Sequence, residues 1–107
     1  MSYRLVPTSN FARELKRLVK KHPSLKKSIK DLSNILKKEP KQGSPLGKHC
    51  YKIRITSPSK STGKSGGFRV ITNILVENST VFLLSIYDKS EVSTLKDSDI
   101  KRLLKDL

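Results

Sequence analysis

The hydrophobic period of this chain changes once, near residue 45, and that change restricts what it can fold into. Before it, apolar residues recur at helical spacing: Phe11, Leu15, Leu18 and Val19 form one stripe, and Leu25, Ile29, Leu32 and Leu36 form a second. Thr8-Ser9-Asn10 offers cap side chains to the first helix. His22-Pro23-Ser24 breaks that helix and caps the next, and Pro40 ends it, so the two read as a helical hairpin. Residues 41–47 (KQGSPLG) are turn formers and read as a loop. Beyond them the period falls to two. Tyr51, Ile53 and Ile55 interleave with Lys52, Arg54 and Thr56; after a loop over 57–67, Phe68, Val70, Thr72, Ile74 and Val76 alternate again.

Glu77-Asn78-Ser79 reads as a hairpin turn, and Val81 to Tyr87 is nearly continuously apolar, as in a central strand covered on both faces. Tyr3 to Val6 reads as a short first strand. Asp97-Ser98-Asp99 caps a last helix with Ile100, Leu103, Leu104 and Leu107 on one side. The order β-α-α-β-β-β-α predicts an α+β fold: an N-terminal helical hairpin packed on a small antiparallel sheet with a C-terminal helix, all helices on one face. At 107 residues this is one domain, spanning 1–107.

Charge narrows the function. Lys and Arg number 23 against 9 Asp and Glu, a net charge of +14. Such a balance costs self-repulsion and suits a polyanion or an acidic partner. Cys50 is the one cysteine, so no disulfide forms within the chain, which fits a reducing compartment. No apolar stretch reaches the length of a signal-peptide core or a membrane span; the expectation is a soluble, cytoplasmic chain with no membrane partner.

Alternation places the charge. One parity set holds Tyr51, Ile53, Ile55, Phe68, Val70, Ile74, Val76, Phe82, Leu84 and Ile86 and should face the helices. The opposite set holds Lys52, Arg54, Arg69, Asn73, Ser85, Tyr87 and Lys89. Cations gathered on one surface repel each other until an anion sits among them, and phosphate is the natural candidate: Arg grips it bidentately and Lys serves as a point charge. A neighbouring positive charge disfavours the charged form of a lysine, which suits one to act as a general base. Tyr87 can stack on a base or join proton transfer. An ordinary solvated sheet face, its cations keeping an open edge soluble, fits the same alternation.

Other motifs lead elsewhere and fail. Gly63-Lys64-Ser65 ends like a P-loop, but Pro58 stands where the first glycine belongs and a strand follows instead of a helix. Lys60 and Lys64 on that loop, with Lys48, are candidates for nucleic-acid contact. His49 beside Cys50 has no second pair to complete a zinc site, and no carboxylates cluster as a metal-dependent nuclease requires. No cofactor or metal is expected. Asp88 and Glu91 flank Lys89 as ion-pair partners or orienters.

Cys50-Tyr51-Lys52-Ile53-Arg54-Ile55, the run Gly63-Lys64-Ser65-Gly66-Gly67-Phe68-Arg69-Val70-Ile71, and Val81 through Glu91 together resemble the RelE/ParE toxins. The Gly-Lys-x-Gly-Gly-x-Arg and Tyr-x-Lys-x-Glu segments point to the RelE/HigB-like branch, and the resemblance spans essentially the whole chain. It implies a toxin of a bacterial toxin–antitoxin module. Its activity would be that of a ribosome-dependent, metal-independent endoribonuclease. Such an enzyme enters the ribosomal A site and cleaves messenger RNA by attack of the 2′-hydroxyl on the adjacent phosphodiester. Its physiological partner would be an acidic antitoxin.

By the same resemblance, Lys52 and Arg54 match the family's basic pair, with Lys52 the preferred base. Arg69 matches the arginine that grips the phosphate, and Lys89 suits the leaving group or the phosphate. RelE members carry a further tyrosine beyond that last basic position. Here the segment reads Val92-Ser93-Thr94-Leu95, and Tyr87 is the aromatic at hand. Lys48, Lys60, Lys64 and Asn73 would touch RNA or the ribosome. Two other readings share the features: a ParE-like gyrase inhibitor that cuts no RNA, and a basic nucleic-acid-binding protein without chemistry.

Overall fold

The computed structural model describes residues 2–56, 67–92 and 95–107. Strand β1 (Arg4–Pro7) leads into helices α1 (Ser9–Lys21) and α2 (Leu25–Lys38). Strands β2 (Ser44–Gly47), β3 (Cys50–Ile55), β4 (Phe68–Leu75) and β5 (Thr80–Asp88) follow, then helix α3 (Asp97–Leu104). The predicted cap of α1 forms, whereas Ser24 makes no side-chain cap bond to α2 and α3 is capped at Lys96 through Asp99. Thr8 holds extended backbone at the start of α1 and its hydroxyl accepts the Phe11 N–H. At α3 the Lys96 N–H donates to the Asp99 carboxylate at 3.0 Å. The α2 stripe is buried as its spacing predicts: Leu25, Ile29, Leu32 and Leu36 all face the sheet.

The sheet order is β1-β5-β4-β3-β2. Strands β2 to β5 form an antiparallel meander, and β1 is the exception, lying parallel to β5 with Arg4 opposite Thr80 and Val6 opposite Phe82. Parallel neighbours need a long crossover, and the residues between β1 and β5 supply it. Strand β2 replaces part of the expected 41–47 loop. It is an exposed edge, where Pro45 costs no ladder hydrogen bond. Its two-residue turn to β3 puts Lys48 at φ 55° and His49 at φ 62°. That geometry matches hairpin twist but is normally taken by Asn and Gly.

Helices cover both faces of the sheet, which corrects the expectation of one. Phe11, Leu18 and the α2 stripe pack on Ile53, Phe68, Val70, Ile74, Val81, Leu83 and Ile86. On the opposite face Ile100 and Leu103 of α3 pack on Cys50, Ile71, Leu84 and Tyr87, with Phe82 against them. The apolar run of β5 demands this, since a strand greasy on both sides needs two covers. Leu107 lies past the helix and is exposed, and Val76 sits exposed in the turn Val76–Asn78 instead of facing the helices.

The parity of β5 also differs from simple alternation. Ile71 pairs with Ser85 but Thr72 pairs with Leu83, so Leu84 is an extra residue in a β-bulge. Val81 and Leu83 therefore face α1 and α2, while Phe82 and Leu84 face α3. No helix among the described residues is long and apolar enough to cross a membrane.

Candidate functional site

The α3 face is only half covered. Cys50, Asn73 and Phe82 form a row across β3, β4 and β5 at the α3 end; four residues along β3, Arg54, Arg69 and Tyr87 form another row at the open end. The two rows stand about 13 Å apart. Lys52 lies between them, opposite Ile71, and Lys89 follows Tyr87 just past β5. The structure thus brings together Lys52, Arg54, Arg69, Lys89 and Tyr87, as alternation predicts. An open concavity of about 520 Å³ is lined by Lys52, Arg54, Arg69 and Lys89 with Gly43 and Ser44. A narrower pocket of about 100 Å³ beside it shares Lys52 and Lys89 and adds Tyr87, Leu95 and Asp97.

Each side chain is positioned differently. Arg69 is only 5% exposed, and its Nη1 donates to the Phe68 carbonyl at 3.2 Å, which orients the guanidinium. Arg54 is exposed, and Lys52 and Lys89 are half-buried. The Lys89 N–H donates to the Gly67 carbonyl at 3.0 Å. Gly67 has φ +80°, and a Cβ there would stand 2.6 Å from the Ile55 carbonyl, so only glycine lets the start of β4 approach the end of β3 this closely. Tyr87 is buried, which pushes its phenol pKa up, with the Arg69 guanidinium pulling the other way. The net direction keeps the phenol protonated at neutral pH, as a hydrogen-bond donor beside the arginine.

Carboxylates that sequence places near Lys89 turn toward the helices. Asp88 Oδ1 accepts from the Ser90 N–H and hydroxyl at 2.9 and 2.8 Å, and its Oδ2 lies 4.0 Å from His22 Nε2. Glu91 lies 3.5 Å from Arg17 Nη1. Glu91 is thus an ion-pair partner of Arg17, and Asp88 faces His22, both on the α1 side. Among the described residues no three His, Cys, Asp or Glu side chains gather where one ion would be held.

Two expected contacts stand apart from the concavity. The Asn73 amide donates to the Lys48 carbonyl at 3.0 Å and to Cys50 Sγ at 3.5 Å, so it locks the β2–β3 turn. Lys48 sits on that turn against α3, beside Leu46, Asp97 and Lys101. Strand parity grouped Asn73 with the cations; the four-residue offset along the strand sets it and Lys48 apart from them. Ser85 also leaves the cation face, because its hydroxyl donates to Glu14 of α1. Lys60 and Lys64 lie outside the described residues. Cys50 is buried, and burial pushes its thiol pKa up against the Asn73 hydrogen bond and the Lys48 charge, making it a poor nucleophile.

Sequence reading missed Gly43 and Ser44. Gly43 has φ +87°, and a Cβ there would collide with the Lys52 carbonyl. The Gly-Ser-Pro-Leu-Gly run was the available signal, and it looked like an ordinary turn. A larger groove of about 590 Å³ runs between β1, α1 and α2, lined by Leu5, Phe11, Leu15, Val19, Ile29 and Leu83. It is apolar and lies on the opposite face; the clustered cations, not the volume, mark the candidate site.

No family model matches the sequence. Among solved structures, the Escherichia coli toxin RelE, as a double arginine-to-alanine mutant in the free state, superposes with a TM-score of 0.64 at 20% identity. That match covers 98% of this chain and 97% of RelE. The same mutant in complex with an antitoxin RelBc peptide gives a TM-score of 0.57 at 19% identity, over 95% of this chain and 93% of that one. The chain therefore has the RelE-like toxin fold over nearly its whole length.

Proposed function

We propose that this chain is the toxin of a toxin–antitoxin pair and that its cation face cleaves messenger RNA on the ribosome. The observation that carries the proposal is the convergence of Lys52, Arg54, Arg69 and Lys89 with a protonated Tyr87 around one open concavity. A phosphodiester is the substrate such a surface favours.

The chemistry follows from the placement. Arg69, oriented and buried, holds the non-bridging oxygens, and Arg54 adds charge from the rim. Lys52 takes the proton of the 2′-hydroxyl as its oxygen attacks phosphorus. The P–O5′ bond breaks, and Lys89 or Tyr87 gives the leaving oxygen a proton, yielding a 2′,3′-cyclic phosphate and a free 5′-hydroxyl. Fixed cations facing the developing charge stabilise the transition state. The ribosome supplies placement of the message. The partner that restrains this activity is an acidic antitoxin protein: the RelE neighbour is bound by an antitoxin peptide, and a +14 chain suits such a partner.

The test is induction of the wild type and of Arg69→Ala in bacteria, with mapping of new messenger-RNA ends. Codon-phased cuts on translated messages, lost in Arg69→Ala, are expected. Growth arrest with intact messages and damaged DNA would transfer the proposal to gyrase, and no arrest would leave a binding protein.

A further inference from the structure

The bulge in β5 decides which face Tyr87 and Lys89 occupy. Val81 and Leu83 point toward α1 and α2. Uninterrupted alternation would send residues 85, 87 and 89 the same way. The extra residue Leu84 reverses the phase, so Ile86 enters the helical core and Tyr87 packs on the α3 side. Without the bulge, two members of the cation cluster would be buried beneath the helices.

A bulge exposes backbone groups that the ladder no longer pairs. Here the Leu83 and Leu84 carbonyls and the Ile86 N–H are met by side chains from Thr8 and α1. The Thr8 hydroxyl donates to the Leu83 carbonyl at 3.0 Å and the Leu84 carbonyl at 3.3 Å. The Asn10 amide donates to the Leu84 carbonyl at 3.0 Å. One oxygen of Glu14 then accepts three bonds: from the Ser85 hydroxyl at 2.8 Å, the Ile86 N–H at 3.3 Å and the Asn10 amide at 2.8 Å. The other short contacts to the bulge are made by neutral side chains; Glu14 brings the one carboxylate, and bonds to an ionised acceptor are the stronger kind.

We infer that Glu14 is a positioning residue for the cation face: its carboxylate holds the β5 bulge and so sets Tyr87 and Lys89 on the side where the phosphodiester binds. The inference rests on the cleavage reading for its kinetic consequence and on geometry alone for its structural one. Glu14 never touches the RNA; it acts through Ser85 and Ile86.

The experiment compares full-length wild type, Glu14→Gln and Glu14→Leu in two measurements. NMR follows the Tyr87 ring and the Ile86 and Lys89 amides, with Leu36 of α2 as a core reference. Cleavage on programmed ribosomes gives kcat and KM. Glu14→Leu is expected to move the Tyr87, Ile86 and Lys89 signals while Leu36 stays. Its kcat should fall about 100-fold with KM unchanged, the scale of loss when reacting groups shift by about 1 Å. Glu14→Gln keeps an acceptor oxygen without the charge and should fall between Glu14→Leu and wild type in both.

Unchanged Tyr87 signals and kcat in Glu14→Leu would overturn the inference. So would a loss carried by KM alone, or a Glu14→Gln variant as damaged as Glu14→Leu. If Glu14→Leu does not fold, Ser85→Ala removes one donor from the same oxygen and must shift the Tyr87 ring; an unaltered ring sinks the clamp. A wild type that cuts no RNA defeats the cleavage reading, and the NMR measurement still decides the role of Glu14.

Discussion

Under α1 and α2 the sheet is closed along its length by Ile53, Phe68, Val70, Ile74, Val81, Leu83 and Ile86, whereas beneath α3 it is closed for half that length and then ends in cations. The strands are shared, so the difference lies in the covers. Helices α1 and α2 have 13 and 14 residues, and α3 has 8, about 12 Å of helix laid on a nine-residue strand about 30 Å long. Sheet left bare by a short helix must be polar. Here it gathers Lys52, Arg54, Arg69 and Lys89, with Asp97 at the α3 border. One face therefore carries the larger apolar core, and the other carries the clustered cations.

Substitutions separate the two. Phe11→Ala on the closed face should cost about 3–5 kcal/mol of stability, read as a lower urea midpoint, with cleavage per folded molecule unchanged. Loss of cleavage in the molecules that remain folded would show that the faces are not independent. Arg69→Ala on the open face should lower the cleavage rate by about 100- to 1000-fold, or roughly 3–4 kcal/mol of transition-state stabilisation; a single-turnover assay on programmed ribosomes measures it.

Tyr87→Phe stands at the border, packed against α3 and adjacent to Arg69. Its loss of one donated hydrogen bond should slow cleavage by about tenfold or less, near 1 kcal/mol. It also has a pH signature. The folded phenol has its pKa raised above the usual value of 10.0. The unfolded chain therefore releases that proton first, and stability present below pH 10 is lost as pH climbs from 10 through the folded value. Tyr87→Phe should lose less stability over that alkaline range, and identical curves for the two proteins would contradict a buried phenol. The smallest effect belongs to the β2–β3 turn. Replacing Lys48 by Asn together with His49 by Gly relieves two positive φ angles and should raise stability by about 1 kcal/mol, seen as a higher Tm with cleavage unaltered.

The legible parts of the molecule are those where burial leaves a period in the sequence. The α2 stripe and the alternation of β3 and β4 do so, and from them Lys52, Arg54 and Arg69 fall correctly on one face. Strand β5 leaves none, because a run apolar on both sides is silent about its own phase. Tyr87 and Lys89 were placed correctly, although the same alternation turned Phe82 and Leu84 the wrong way. The bulge that separates the two pairs is held by Glu14, about seventy positions away in sequence. Edge strand β2 was hidden for the converse reason, since four exposed residues with Leu46 beside Pro45 and Gly47 show no apolar alternation.

The parallel pairing of β1 with β5 has a consequence in time. Arg4 and its partner Thr80 stand 76 positions apart in the chain, so a ribosome makes one well before the other. Contacts this distant in sequence slow folding, and synthesis delivers the chain from the N-terminus at about 5–20 residues per second. Until β5 is made, α1 and α2 have no finished sheet to cover, and the row of Arg54, Arg69 and Tyr87 has no third strand. The cation face is assembled only when β5 docks between β1 and β4, so a nascent chain carries Lys52, Arg54 and Arg69 before it carries the surface that gathers them.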